Sequence, residues 1–244
     1  FEAGPVPKPS QKEKPQAATK KPIERDLSDY QVTELGPHHR KWQRLETITN
    51  LGGEKEEVVR SYTELGTGLN RWDANSQEWV ESIELIEKFR GGAAALNGQQ
   101  QVIFSSNIKN EGSVDILNPD GVRIRSSVLG LAYFDALTGE DAIIAEVKGS
   151  VGEIIPPNQI IYRDAFNDVE ADVLYTYRRT GVVQDIILRE NPPEPETFGL
   201  SNLTSRLEAM TEFFDVKSPT KEEKVLQRRV DDPVLRELME MPDL

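Results

Sequence analysis

Cysteine is absent from the 244 residues. That excludes a disulfide framework, thiolate metal sites and cysteine nucleophiles. Histidine is nearly absent: His38 and His39 are the two in the chain, side by side after Pro37. Neighbours on an extended chain point to opposite faces, so a single site is not expected to use both. No Gly-x-Ser-x-Gly elbow supplies a nucleophile to pair with either, and there is no HExxH, P-loop or dinucleotide fingerprint. Gly149-Ser150-Val151-Gly152 has the wrong spacing for a phosphate cradle. Aromatic residues make up 7% and hydrophobic residues 37%, with a mean hydropathy of −0.53. Part of the length is therefore expected to stay outside any core. No apolar run approaches the length that crosses a bilayer, and no transmembrane segment is expected.

What the chain has in excess is acid: 42 Asp and Glu against 29 Lys and Arg, a net charge of −13. Such a surface disfavours binding to a phosphate backbone, so no nucleic acid is expected as a partner. With so many carboxylates, a pair at glycosidase separation has meaning only where burial raises one pKa. No catalytic residue is assigned, and no cofactor is expected apart from a cation. The densest acidic stretch, Asp164, Asp168 and Asp172 with Glu170 among them, is the candidate site for a Ca²⁺ ion held between strands. It lacks the ordered spacing of an EF-hand loop, and a solvated loop is the alternative.

Residues 1–28 form a Pro/Lys-rich stretch with little to bury, and an extended tail is predicted. Pro5, Pro7 and Pro9 are its candidate contacts to a partner. From Tyr30 the pattern becomes that of strands. Arg40 to Ile48 alternates, Val58 to Leu65 follows a Gly52-Gly53 turn, and Leu69-Trp72 and Glu78-Glu81 flank a turn through Asp73-Ala74-Asn75-Ser76. Trp72 and Trp79 would sit near each other across that hairpin. Aromatic faces near a hairpin tip suit pyranose rings, so these two are the candidate carbohydrate residues, with cross-strand packing as the alternative. Gly91 to Ala95 reads as a loop or short link. Gln101-Ser105 is a strand. Ser113-Leu117 and Val122-Ser126 reverse at Asn118-Pro119-Asp120-Gly121, and Val128-Asp135 and Ala142-Val147 reverse at Leu137-Thr138-Gly139. Thr204 to Phe214 fits a helix or a strand, with strand preferred. Strands recurring at short intervals argue for a sandwich or barrel. After Pro219 the pattern turns helical, with Leu235, Leu238 and Met239 as the apolar stripe of a last short helix. The predicted architecture is mainly β: an antiparallel β-sandwich, supersandwich-like, over 29–215, with the extended tail at 1–28 and short helices at 216–244.

Within Asn158 to Pro193, Tyr162, Asp164, Phe166, Asp172-Val173, Tyr175, Gly181 and Gln184-Asp185-Ile186-Ile187-Leu188 read as strand, loop, strand, tight turn, strand. These letters resemble the N-terminal β-rich region of large secreted bacterial wall-associated proteins of the Rhs (YD-repeat) type. Ser61 to Asn70 and Leu207 to Phe214 are similar to stretches of related exported proteins. No YD repeats and no toxin tip follow in this chain. The resemblance implies an exported bacterial β-sandwich, secreted or at the cell surface, with no catalytic residues to inherit. The start at Phe1 rather than Met is read as a processed form or fragment with an export signal removed.

The function expected is noncatalytic assembly or presentation, through subunit contacts of the chain ends and strand edges. Its partners would be copies of itself or a larger surface complex. A carbohydrate-binding module or a glycoside-active enzyme on a sandwich is the alternative, with a glycan as partner. A released pro-segment shielding a partner is the third.

Overall fold

The computed structural model describes residues 29–50 and 52–214. The tail expected at 1–28, the helices expected at 216–244, and with them Pro5, Pro7, Pro9, Leu235, Leu238 and Met239, lie outside the described residues. The described chain is mainly β, with sixteen strands in antiparallel sheets and one 3-10 turn at Pro195–Phe198. Among the described residues no helix is long and apolar enough to cross a membrane.

Among the described residues the stretch read from sequence as one body falls into two compact units, one of 29–35 with 39–65, the other of 36–38 with 66–214. The first is a three-stranded sheet in the order β1 (Gln31–Gly36), β2 (His39–Thr49), β3 (Lys55–Leu65). Alternation along β2 predicts a strand, and the long β2–β3 register from His39↔Leu65 to Thr49↔Lys55 is its partner. This sheet is held by cross-strand side-chain pairs, because neither face is fully buried. Trp42 stacks on Tyr62, directly opposite, at 6.0 Å and 7°, and Trp42 Nε1 donates to Glu64 Oε2 at 3.1 Å. Arg44 lies 5.0 Å over the Tyr30 ring.

The second unit holds a two-stranded ribbon and two larger sheets. The ribbon is β4 (Asn70–Asp73) with β5 (Glu78–Glu81). β6 (Glu87–Phe89), β7 (Gly92–Ala95), β8 (Gln101–Ser105), β9 (Val114–Leu117), β10 (Arg123–Asp135) and β11 (Asp141–Glu146) follow one another across the seven-stranded sheet, and β16 (Ser205–Phe214) pairs with the other edge of β10. The four-stranded sheet runs β12 (Gly152–Ile155), β13 (Gln159–Tyr162), β14 (Ala171–Arg178), β15 (Gly181–Leu188). One apolar cluster joins the two. Val102 and Phe104 on β8, Val114 on β9 and Leu131 on β10 share it with Ile160, Tyr162, Val173, Tyr175 and Tyr177 of the other sheet. That common core is the sandwich the alternation predicted. Phe104 lies 5.6 Å from Tyr175, and Tyr162 meets Tyr175 edge-on at 6.1 Å.

Two sequence readings differ from the structure. Gly91 to Ala95, read as a link, contains β7. Alanine and glycine are poor strand formers, so local composition hides it. The small residues are there because Ala93 and Ala95 lie buried in the core, and a Cβ on Gly92 would overlap the Phe104 carbonyl of β8. Val122-Ser126 and Val128-Asp135, read as separate strands, are one 13-residue strand, β10. The register with β16 shifts between Val128 and Gly130, and that bulge is what interrupts the alternation. Within Thr204 to Phe214, Ser205–Phe214 is a strand, as preferred, because β10 offers a free edge along its length.

Candidate functional site

The ribbon β4–β5 reverses where Asp, Asn and Ser cluster. Asp73 Oδ1 accepts the Asn75 N–H at 3.1 Å, and the Gln77 N–H bonds to the Asp73 carbonyl at 2.8 Å. This turn chemistry sets Trp72 directly opposite Trp79, with ring centroids 5.5 Å apart at 71°. The ribbon is fastened at its base. Asn70 is fully buried and its Nδ2 donates to the Gly36 carbonyl at 2.7 Å. Gln99 Nε2 donates to the Pro37 and Asn70 carbonyls at 2.8 and 2.7 Å. The Gly68 N–H donates to His38 Nδ1 at 3.1 Å, which leaves the neutral imidazole with its proton on Nε2.

Beside the ribbon lies an open cleft of about 610 Å³. One wall carries Trp72, Trp79 and Arg71, another the run Gln99-Gln100-Gln101, and a third the turn Asn118-Pro119-Asp120; His38 also lines it. Trp72 is 53% exposed. The amide wall is set from below: Tyr177, buried, donates its hydroxyl to the Gln100 carbonyl at 2.8 Å. Burial pushes the Tyr177 phenol up to about 12, so it stays a donor at neutral pH. The cleft is of ordinary ligand-site size, but its lining is amide-rich where drug-like pockets are mostly apolar. An exposed indole supplies a flat apolar face, and amides supply both donors and acceptors for hydroxyl groups.

The histidines part ways. His38 is held by Gly68, whereas His39 Nε2 lies 3.4 Å from Glu34 Oε1. The acidic loop is occupied by the protein's own cations. Asp164 pairs with Lys148 at 2.7 Å and with Arg189 at 3.1 Å, and the buried Asp172 pairs with Arg189 Nε at 3.2 Å. The Lys148 hydrogen bond holds the Asp164 carboxyl below its usual range, against the opposing effect of burial. Asp172 Oδ1 also accepts the Asp164 N–H at 2.7 Å. Asp164 and Asp168 have φ of 48° and 57°, a backbone region that Asp tolerates better than most residues. Asp164 and Asp172 are thus tied into ion pairs with Lys148 and Arg189.

Of the residues singled out from sequence, the structure brings Trp72 and Trp79 together and sets both on a cleft. Sequence reading missed Arg71, the part of His38, and the Gln99–Gln101 and Asn118–Asp120 walls. Three consecutive glutamines were the available signal; the turn at Asn118 reads only as a reversal. No protein family, curated protein or solved structure matches the chain.

Proposed function

We propose that the protein is a noncatalytic glycan-binding and presentation module, exported to the cell surface, that holds a sugar in the Trp72/Trp79 cleft. The observation carrying this reading is a half-exposed indole, braced edge-to-face by a second, on the wall of a cleft whose lining includes the amides of Gln99, Gln100, Gln101 and Asn118. A pyranose ring stacks its C–H face on such an indole while its hydroxyls bond to amide groups. The bracing matters because an aromatic already held in place loses little conformational freedom on binding. The resemblance to secreted wall-associated proteins is what supports an extracellular setting, where glycans abound.

Trp72→Ala should weaken oligosaccharide binding by about tenfold to thirtyfold, roughly 1.4–2 kcal/mol. Its unfolding midpoint should stay close to that of the parent, since Trp72 is only half-buried. Calorimetric titration with oligosaccharides chosen from an array tests this. No binding by the parent chain, or equal binding by the variant, rejects the reading.

A second reading, assembly through strand edges, has its own support. Among the described residues β15 pairs only with β14 and β16 only with β10. β15 also carries Val183, Ile187 and Leu188, each more than a third exposed. Unpaired edges of this kind recruit further strands. Sedimentation velocity of the full chain should then show a larger species that dissociates on dilution; a monomer at every concentration counts against it.

A further inference from the structure

Resting on the glycan reading of the cleft, we propose that its ligand carries an anionic substituent, a uronic acid carboxylate or a sulfate ester, and that Arg71 holds that group. The chain is strongly acidic, and several of its described arginines are paired with carboxylates. Arg60 meets Glu46, Arg123 meets Asp115, Arg163 meets Glu153, Arg179 meets Glu81, and Arg189 meets Asp164 and Asp172. Arg71 departs from this pattern. It lines the cleft and is partly sheltered from solvent, yet its Nε is buried with no hydrogen-bond partner. Its guanidinium forms no ion pair with any described residue.

The planar guanidinium fork matches the paired oxygens of a carboxylate or sulfate, and bonds to a charged acceptor are about twice as strong as bonds to a hydroxyl. Asp120 is the single carboxylate of the lining; it sits exposed on its turn and does not neutralise Arg71. The remaining polar side chains of the lining are His38, Thr67, the indole N–H groups of Trp72 and Trp79, and the amides of Gln99, Gln100, Gln101 and Asn118. In a protein of net charge −13, the cleft is thus a place where a cation stands available. The indole pair would take the sugar ring and Arg71 its charged substituent.

The test uses the full chain and three matched sets of oligosaccharides: uronic-acid oligomers, the same oligomers with carboxyls reduced to alcohols, and sulfated oligomers of the same backbone. At least one charged set should bind about tenfold or more tightly than the reduced set, as expected of a charge-assisted pair. Whichever charged set does so identifies the substituent. Arg71→Gln should lower affinity for the charged set far more than for the reduced set, so that the preference disappears, and Arg71→Lys should restore part of it. Equal affinities for charged and reduced sets, or a preference that survives Arg71→Gln, overturn the inference and leave the glycan reading standing. Binding to none of the three sets removes both. Should the Arg71 variants fail to fold, the comparison of charged with reduced sets on the parent chain still decides whether the cleft prefers an anion.

Discussion

Tyr162→Ala is expected to lower the unfolding free energy by about 3–5 kcal/mol, the range for removing a large buried aromatic side chain. Tyr162 is among the largest fully buried residues, and it stands where the two sheets of the second unit meet. Its ring packs edge-on against Tyr175 at 6.1 Å, and its hydroxyl donates to the Ser105 carbonyl of β8 at 2.5 Å. One side chain thus contributes both apolar packing and a hydrogen bond from β13 to the opposing sheet. Burial raises the Tyr162 phenol well above its ordinary value, so the donor persists at neutral and moderately alkaline pH. Tyr162→Phe keeps the ring and leaves the Ser105 carbonyl without this donor; it should cost about 1–3 kcal/mol. Urea unfolding of both variants separates packing from hydrogen bonding. A domain of this size is stable by only about 5–15 kcal/mol, so the alanine variant should be visibly destabilised. A loss under about 1 kcal/mol, the level of ordinary surface changes, would mean that the two sheets do not share this core.

Gly68→Ala should be strongly destabilising. Gly68 has φ of +69°, where a side chain is strained by about 1–2 kcal/mol. A Cβ there would also overlap the Arg179 carbonyl. That carbonyl is not free to retreat, since the Arg179 N–H donates to Glu84 Oε1 at 2.9 Å and its guanidinium pairs with Glu81 at 3.3 Å. Forcing the backbone apart adds about 1–3 kcal/mol, for a total of about 2–5 kcal/mol. Gly139→Ala is the control, because Gly139 also has positive φ, +76°, but nothing lies within 4 Å of its Cβ position. The difference between their thermal midpoints reports the steric part alone. Because the Gly68 N–H holds His38 beside the cleft, glycan affinity should fall with Gly68→Ala and stay constant with Gly139→Ala. Equal midpoints for the two variants would remove the close approach to Arg179.

The hairpins were legible because their information is local. Asp73 to Ser76, Asn118 to Gly121 and Leu137 to Gly139 carry the residues that tight reversals require, and alternation on either side sets which residues face inward. Trp72 and Trp79 follow from the same rule, being equidistant from one turn. The letters of the Asn158 to Pro193 resemblance have folding roles here: Tyr162, Phe166, Val173 and Tyr175 are buried, Asp164 sits in the left-handed region, and Gly181 has φ of +145° at the β14–β15 turn. β7 was hidden because its alanines answer to a neighbouring strand. The partners of Asp164 were not legible, because Lys148 and Arg189 come from positions before and after the acidic loop in the chain.

By itself the sequence determined a mainly β chain of antiparallel hairpins, rich in acid, and an aromatic pair near a hairpin tip. Only the tertiary structure decided that β8 and β14 face the same core, that residues 36–38 belong with 66–214, and that Arg71, the Gln99–Gln101 run and the Asn118–Asp120 turn line one cleft with the indoles. The physical reason is range. Turn preferences and side-chain alternation act over a few residues, whereas the cleft depends on burial that brings together residues far apart in the chain, and no local pattern encodes those contacts.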